Sequence, residues 1–141
     1  MNNEPVTISI RATIAATVGK TWTCYTEPAH ITGWNFASPD WHCPSASNDL
    51  RPGGKYIARM EAKDGSFGFD FECTYESVTE NESLVYRIVD GRKVVCKFEE
   101  AGDFTNVDVT FEAETVNAPE LQRGGWQSIL DNFKRYVEGL K

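Results

Sequence analysis

From Asn48 to Phe111 the apolar residues of this chain alternate with polar ones, and a period of two commits the middle of the sequence to β-structure. The runs are Tyr56, Ala58, Met60; Phe67, Phe69, Phe71, Cys73, Tyr75; Leu84, Tyr86, Ile88; Val94, Cys96, Phe98; and Val107, Val109, Phe111. The turn signals KDGS, TENES, VDGRK and EEAGD separate them, so consecutive strands are expected to be antiparallel neighbours in a meander of five or six. An earlier strand is predicted at VTISIRATI, where Val6, Ile8 and Ile10 alternate in the same way.

Helical spacing appears at the two ends of this β region. Val18, Trp22 and Tyr25 predict a helix that stops at Pro28, and Pro28 can open a short second helix ending at Gly33. Near the C-terminus, Trp126, Ile129, Leu130, Phe133, Tyr136 or Val137, and Leu140 form one apolar stripe over about four turns. Asn117 is predicted to cap this helix, with Pro119 in the first turn and Glu120 placed as in a capping box. An amphipathic helix of this length needs an apolar surface, and the concave side of a twisted sheet is the one available. The expected fold is α+β, a curved antiparallel sheet wrapped around a long C-terminal helix, in one domain spanning residues 1–141.

Two glycines, Gly124 and Gly125, interrupt the helical pattern at a cost of about 1 kcal/mol each relative to alanine. Close packing of the helix backbone on a strand is the simpler explanation. The alternative is that they leave space open between helix and sheet. In DLRPGGKY, Gly53 and Gly54 precede a strand rather than a helix N-terminus, which points to a corner of the sheet and away from a phosphate cradle.

The net charge of −7, from 14 Lys plus Arg against 21 Asp plus Glu, argues against nucleic acid and anionic membrane as partners. No run of about 18 apolar residues could span a bilayer, and MNNEPVTISI lacks the features of a signal peptide, so a cytoplasmic protein is expected. The four cysteines form no CxxC pair, and reduced thiols without a structural disulfide are expected.

The strand, helix, helical-turn, meander and C-terminal helix order, together with NDLRPGGKYIARMEAKDGSFGFDFECTYESV and LQRGGWQSILDNFKRYVEGL, resembles the bacterial branch of the activator of Hsp90 ATPase homologue-like family. That family lies within the START and Bet v 1-like superfamily. The resemblance runs from about Val6 to Leu140 and implies a helix-grip fold with a ligand cavity between the sheet and the last helix.

GWNFASPDWHCP, residues 33–44, shows neither period and is rich in reactive and aromatic side chains. A zinc site needs three or four ligands, and His42, Cys43 and Asp40 find no second cluster to complete one; no metal and no cofactor are expected. Cys43 as a nucleophile would need an oriented base, which the adjacent His42 is poorly placed to be. Trp34 and Trp41, each a large apolar surface with one N–H donor, suit packing or the rim of a pocket.

The ligand-contacting set expected from these readings is Trp34, Trp41, His42, Met60, Phe69, Phe71, Tyr86, Trp126 and Phe133. Polar groups considered beside them are Arg59, Asp70, Glu72 and Arg87, although alternation forbids Phe69 and Phe71 from sharing a face with Asp70 and Glu72; the aromatics are taken as inward. The leading function is binding of a small apolar or amphipathic molecule. Behind it stand a cofactor-independent cyclase or hydrolase using His42 with a carboxylate, and a chaperone-associated module. The last is disfavoured because similar eukaryotic co-chaperones carry an N-terminal domain for which this chain has no room, and an Hsp90-type partner is not expected. A homodimer is left open.

Overall fold

Seven strands form one antiparallel sheet in the computed structural model, which describes residues 6–140; Lys141 and the MNNEP segment, part of the stretch read above as lacking a signal peptide, lie outside the described residues. The chain runs β1 (Thr7–Ile14), α1 (Val18–Thr26), α2 (Pro28–Ile31), β2 (Trp41–Asn48), β3 (Lys55–Ala62), β4 (Gly68–Thr79), β5 (Ser83–Ile88), β6 (Lys93–Ala101), β7 (Phe104–Glu112) and α3 (Pro119–Gly139). The sheet order is β1-β7-β6-β5-β4-β3-β2, so β2 to β7 are a meander of six and β1 closes its far edge against β7.

Alternation decides the two faces. Tyr56, Ala58 and Met60 on β3, Leu84, Tyr86 and Ile88 on β5, and the even-numbered apolar residues of β6 are buried on the concave side. Their sequence neighbours carry the ion pairs of the convex side, among them Arg59 with Glu61 at 2.9 Å and Arg87 with Glu76 at 2.7 Å. On β4 a bulge between Tyr75 and Ser77 moves the pattern by one residue.

The strand β2 corrects the reading of residues 33–44 as aperiodic for its last four residues, Trp41 to Pro44, whereas residues 33–40 form turns and bends outside any helix or strand. Trp41 pairs with Ala62 and His42 with Glu61, but Ser45 then pairs with Arg59, so one extra residue is accommodated around Cys43 and Pro44. The inward side chains are Cys43 before the bulge and Ala46 after it, and the phase change hides the alternation. Between β2 and β3, DLRPGG is a tight hairpin connection in which Gly54 lies against the Asp49 carbonyl where no Cβ would fit.

The cap of α3 is also different from the sequence expectation. Ala118 is the N-cap residue and makes no side-chain cap hydrogen bond. Asn117 turns instead to Glu114, donating its backbone N–H and its Nδ2 to that carboxylate, while Gln122 Nε2 donates to the Asn117 carbonyl at 2.8 Å. A loop-internal clasp thus replaces the capping box.

One flank of α3 covers the exposed edge of β1 with polar atoms. Arg123 donates to the Ser9 carbonyl at 2.7 Å, Gln127 to that of Arg11 at 3.1 Å and Lys134 to that of Thr13 at 2.6 Å, and Glu138 accepts from the Ala15 N–H at 2.8 Å. These bonds satisfy alternate edge carbonyls that would otherwise template pairing with another chain. The apolar stripe buries Leu130, Phe133 and Val137. Among the described residues no helix is long and apolar enough to cross a membrane.

Candidate functional site

A pocket of about 290 Å³ lies between the concave face of the sheet and the N-terminal half of α3. Its position follows from the helix geometry: α3 is tied along β1, so its first turns stand clear of the strands opposite. Trp126 forms part of the helix wall and is stacked on Phe111 with ring centroids 4.0 Å apart and planes 11° apart. Phe71 meets its edge at 6.1 Å from the sheet side.

Close packing of the glycine pair on a strand, the simpler explanation above, is not found, and neither glycine lines the pocket: Gly124 is exposed and Gly125 is half-buried. A Cβ built on Gly124 or Gly125 meets nothing within 4 Å. No strand backbone approaches, so the glycines carry their helix penalty without a packing return. Gly125→Ala should therefore stabilise the protein by about 0.5 to 1 kcal/mol in denaturant melts; a loss of stability would reveal a contact at this position.

Of the nine residues expected at the site, Trp34, Met60, Phe69, Phe71, Tyr86 and Trp126 line the pocket. Trp34 is a fixed wall: its Nε1 donates to the Cys24 carbonyl at 2.9 Å, and its ring stacks on Tyr25 at 5.1 Å. Phe133 is fully buried one layer behind, edge-on to Trp34 at 4.9 Å and to Tyr25 at 5.1 Å. Trp41 does not line the pocket. It joins Phe67 and Phe69 in a partly exposed aromatic triangle, with centroids 6.0 to 6.1 Å apart, and touches the rim through Phe69.

His42 is not in the pocket either. Its register partner is Glu61, 3.9 Å away on the convex side, so it cannot act as an acid or base on a molecule held between sheet and helix. Arg59, Asp70, Glu72 and Arg87 face the same convex side and pair there. Phe69 and Phe71 are the inward residues of β4. Burial pushes the Cys43 thiol up, away from the thiolate that nucleophilic attack requires. Among the described residues no group of three His, Cys, Asp or Glu side chains is arranged to hold a metal ion.

The polar lining residues are ones sequence reasoning passed over. Within the lining, Asn35 donates from Nδ2 to the Tyr56 hydroxyl at 2.9 Å. At the sheet end near the start of α3 are Arg92, Glu114 and Gln122. Arg92 follows Gly91, whose φ of 97° makes the tight β5–β6 turn, and it shares the inward phase of Val94 and Cys96. That phase was readable in the sequence had the alternation of β6 been extended back into the turn.

A curled antiparallel sheet gripping a C-terminal helix defines the helix-grip class of START and Bet v 1-like domains. The chain belongs to the Activator of Hsp90 ATPase homolog 1-like protein family, whose profile matches residues 15–138. It is similar to the solution structure of an AHSA1-like protein from Aeromonas hydrophila at 44% identity, with a TM-score of 0.89 over 94% of this chain and 92% of that one. A solution structure from Cytophaga hutchinsonii is similar at 47% identity, with a TM-score of 0.81 over 93% and 91%. A crystal structure from Nitrosomonas europaea, at 19% identity and a TM-score of 0.83 over 96% of both chains, shows the shared fold. No curated protein matches the chain.

Proposed function

We propose that the protein binds a small apolar or amphipathic molecule between its sheet and α3. The observation that supports this reading is the pocket itself, about 290 Å³ of space walled by aromatic and aliphatic side chains with a few polar groups at its ends. That volume lies at the small end of the range of about 300 to 1,000 Å³ usual for small-molecule sites, so the guest is small.

A neutral amphipath tests the reading without appeal to charge. Titration of labelled protein with 4-phenylbutan-1-ol should move the indole N–H resonance of Trp126 and the amides around Tyr56 and Met60, with a dissociation constant near 100 μM, equivalent to about 5.5 kcal/mol. Ile129 lines the pocket from the helix and is only partly buried, so Ile129→Trp should fill the space with little change in melting temperature. Binding should then weaken at least tenfold. Shifts mapping to another surface, or unchanged affinity in the filled variant, would remove the pocket from consideration.

A further inference from the structure

We infer that the guest of this pocket is an organic anion whose charged head is held by Arg92; the inference rests on the binding function proposed above and adds the class of ligand. Arg92 and Glu114 are the two charged residues lining the pocket, and they differ in how much hydrogen-bonding capacity remains to them. Glu114 Oε1 accepts from the backbone N–H groups of Val116 and Asn117, and Oε2 accepts from Asn117 Nδ2 at 2.8 Å. The Asn117 N–H leads the interactions holding this carboxylate below its ordinary pKa, with a smaller contribution from the Arg92 charge, so it remains ionised and occupied. Gln122 is likewise committed, accepting from the Glu114 N–H and donating to the Glu114 and Asn117 carbonyls. Neither is left to receive a cationic guest.

Arg92 has donors to spare. Its Nε donates to Asp90 at 2.8 Å, and Nη1 reaches the Glu112 carbonyl at 3.5 Å, the limit of a hydrogen bond. Nη2 has no protein acceptor among the described residues. The guanidinium side chain is 23% exposed, against 49% for its Asp90 partner. Asp90 thus sits toward solvent, where its charge is screened, and orients the guanidinium so that Nη2 and the second Nη1 proton remain for an acceptor. Most of the remaining lining is apolar, with Trp126, Phe71 and Ile129 among it and the Asn35–Tyr56 pair as its other polar group, so a short tail finds mainly apolar contact. A carboxylate carried on a short aromatic or aliphatic tail satisfies both parts. The chain's net charge of −7 repels such a molecule at long range, so the preference must arise at contact and be lost with Arg92.

The test compares 4-phenylbutyrate with 4-phenylbutan-1-ol, the same tail with and without the charge, at neutral pH by calorimetry and by the Trp126 indole resonance. The acid should bind about tenfold tighter than the alcohol, as one charge-assisted contact implies. Arg92→Gln should bring the acid down to the alcohol's affinity and leave the alcohol unchanged, while Arg92→Lys should recover part of the preference. Asp90→Asn, which keeps an acceptor for the turn but removes one of the two carboxylates that act on Arg92, should strengthen the acid alone. If acid and alcohol bind equally in the pocket, or Arg92→Gln weakens both alike, the anionic head is overturned and the pocket stands. If neither compound binds, the pocket function fails and the head-group assignment fails with it.

Discussion

Raising the pH should unfold the protein cooperatively between about pH 11 and 12.5, because three buried tyrosines cannot ionise in place. Tyr56, Tyr75 and Tyr86 are 6%, 3% and 4% exposed and pack against one another with centroids 5.9 to 6.5 Å apart. Burial raises the pKa of each phenol and also pushes the Cys96 thiol up to about 11. These folded-state values exceed those of the unfolded chain, so their contribution is intact below the unfolded pKa and is lost as the pH rises toward the folded one. Above about pH 10, three phenols cost together about 4 kcal/mol per pH unit, and a domain has only about 5 to 15 kcal/mol to lose. Circular dichroism and the phenolate absorbance near 295 nm should change together. Smooth ionisation of all five tyrosines with unchanged dichroism would mean that water reaches the trio. Tyr86→Phe removes one such group and should move the midpoint upward.

Phe133→Ala should destabilise the protein by about 3 to 5 kcal/mol, the range for deleting a fully buried aromatic ring. Phe133 is 0% exposed and supports both Tyr25 and Trp34, so its loss opens a void behind the pocket wall and unfastens α3 from α1 and the segment after α2. The expected fall in melting temperature is roughly 10 to 20 °C. Trp41→Ala, which removes a ring from the exposed triangle with Phe67 and Phe69, should cost about 1 kcal/mol by comparison. Similar losses in the two variants would place Trp41 in the core rather than at the rim.

The difference between these two aromatics shows where the sequence was readable. Phe133 belongs to a helical stripe, and its burial follows from the period alone. Trp41 lies two residues before a bulge at Cys43 and Pro44 that inverts the phase of β2, and a window that expects constant alternation sees no pattern there. Asn117 failed as a cap for a related reason: its side chain had two local partners, and the carboxylate of Glu114 drew it away from the helix end. On β4 the opposite held. Regular alternation up to Tyr75 required either Phe69 and Phe71 or Asp70 and Glu72 to face inward, and turning the carboxylates inward would cost more than turning the aromatics, of which Phe71 is half-buried and Phe69 stays at the exposed rim.

By itself the sequence determined the strands of the meander from β3 to β7, the helical stripe of α3 and the assignment of aromatics to the inner face, because each follows from a local period set against the cost of burying charge. Tertiary structure alone decided that a space remains between α3 and the sheet, and that Arg92 rather than His42 borders it. Those outcomes depend on where α3 is anchored. Arg123, Gln127 and Lys134 tie it to carbonyls of Ser9, Arg11 and Thr13, residues more than a hundred positions earlier in the chain, and the standoff those bonds impose is a distance that no local pattern encodes.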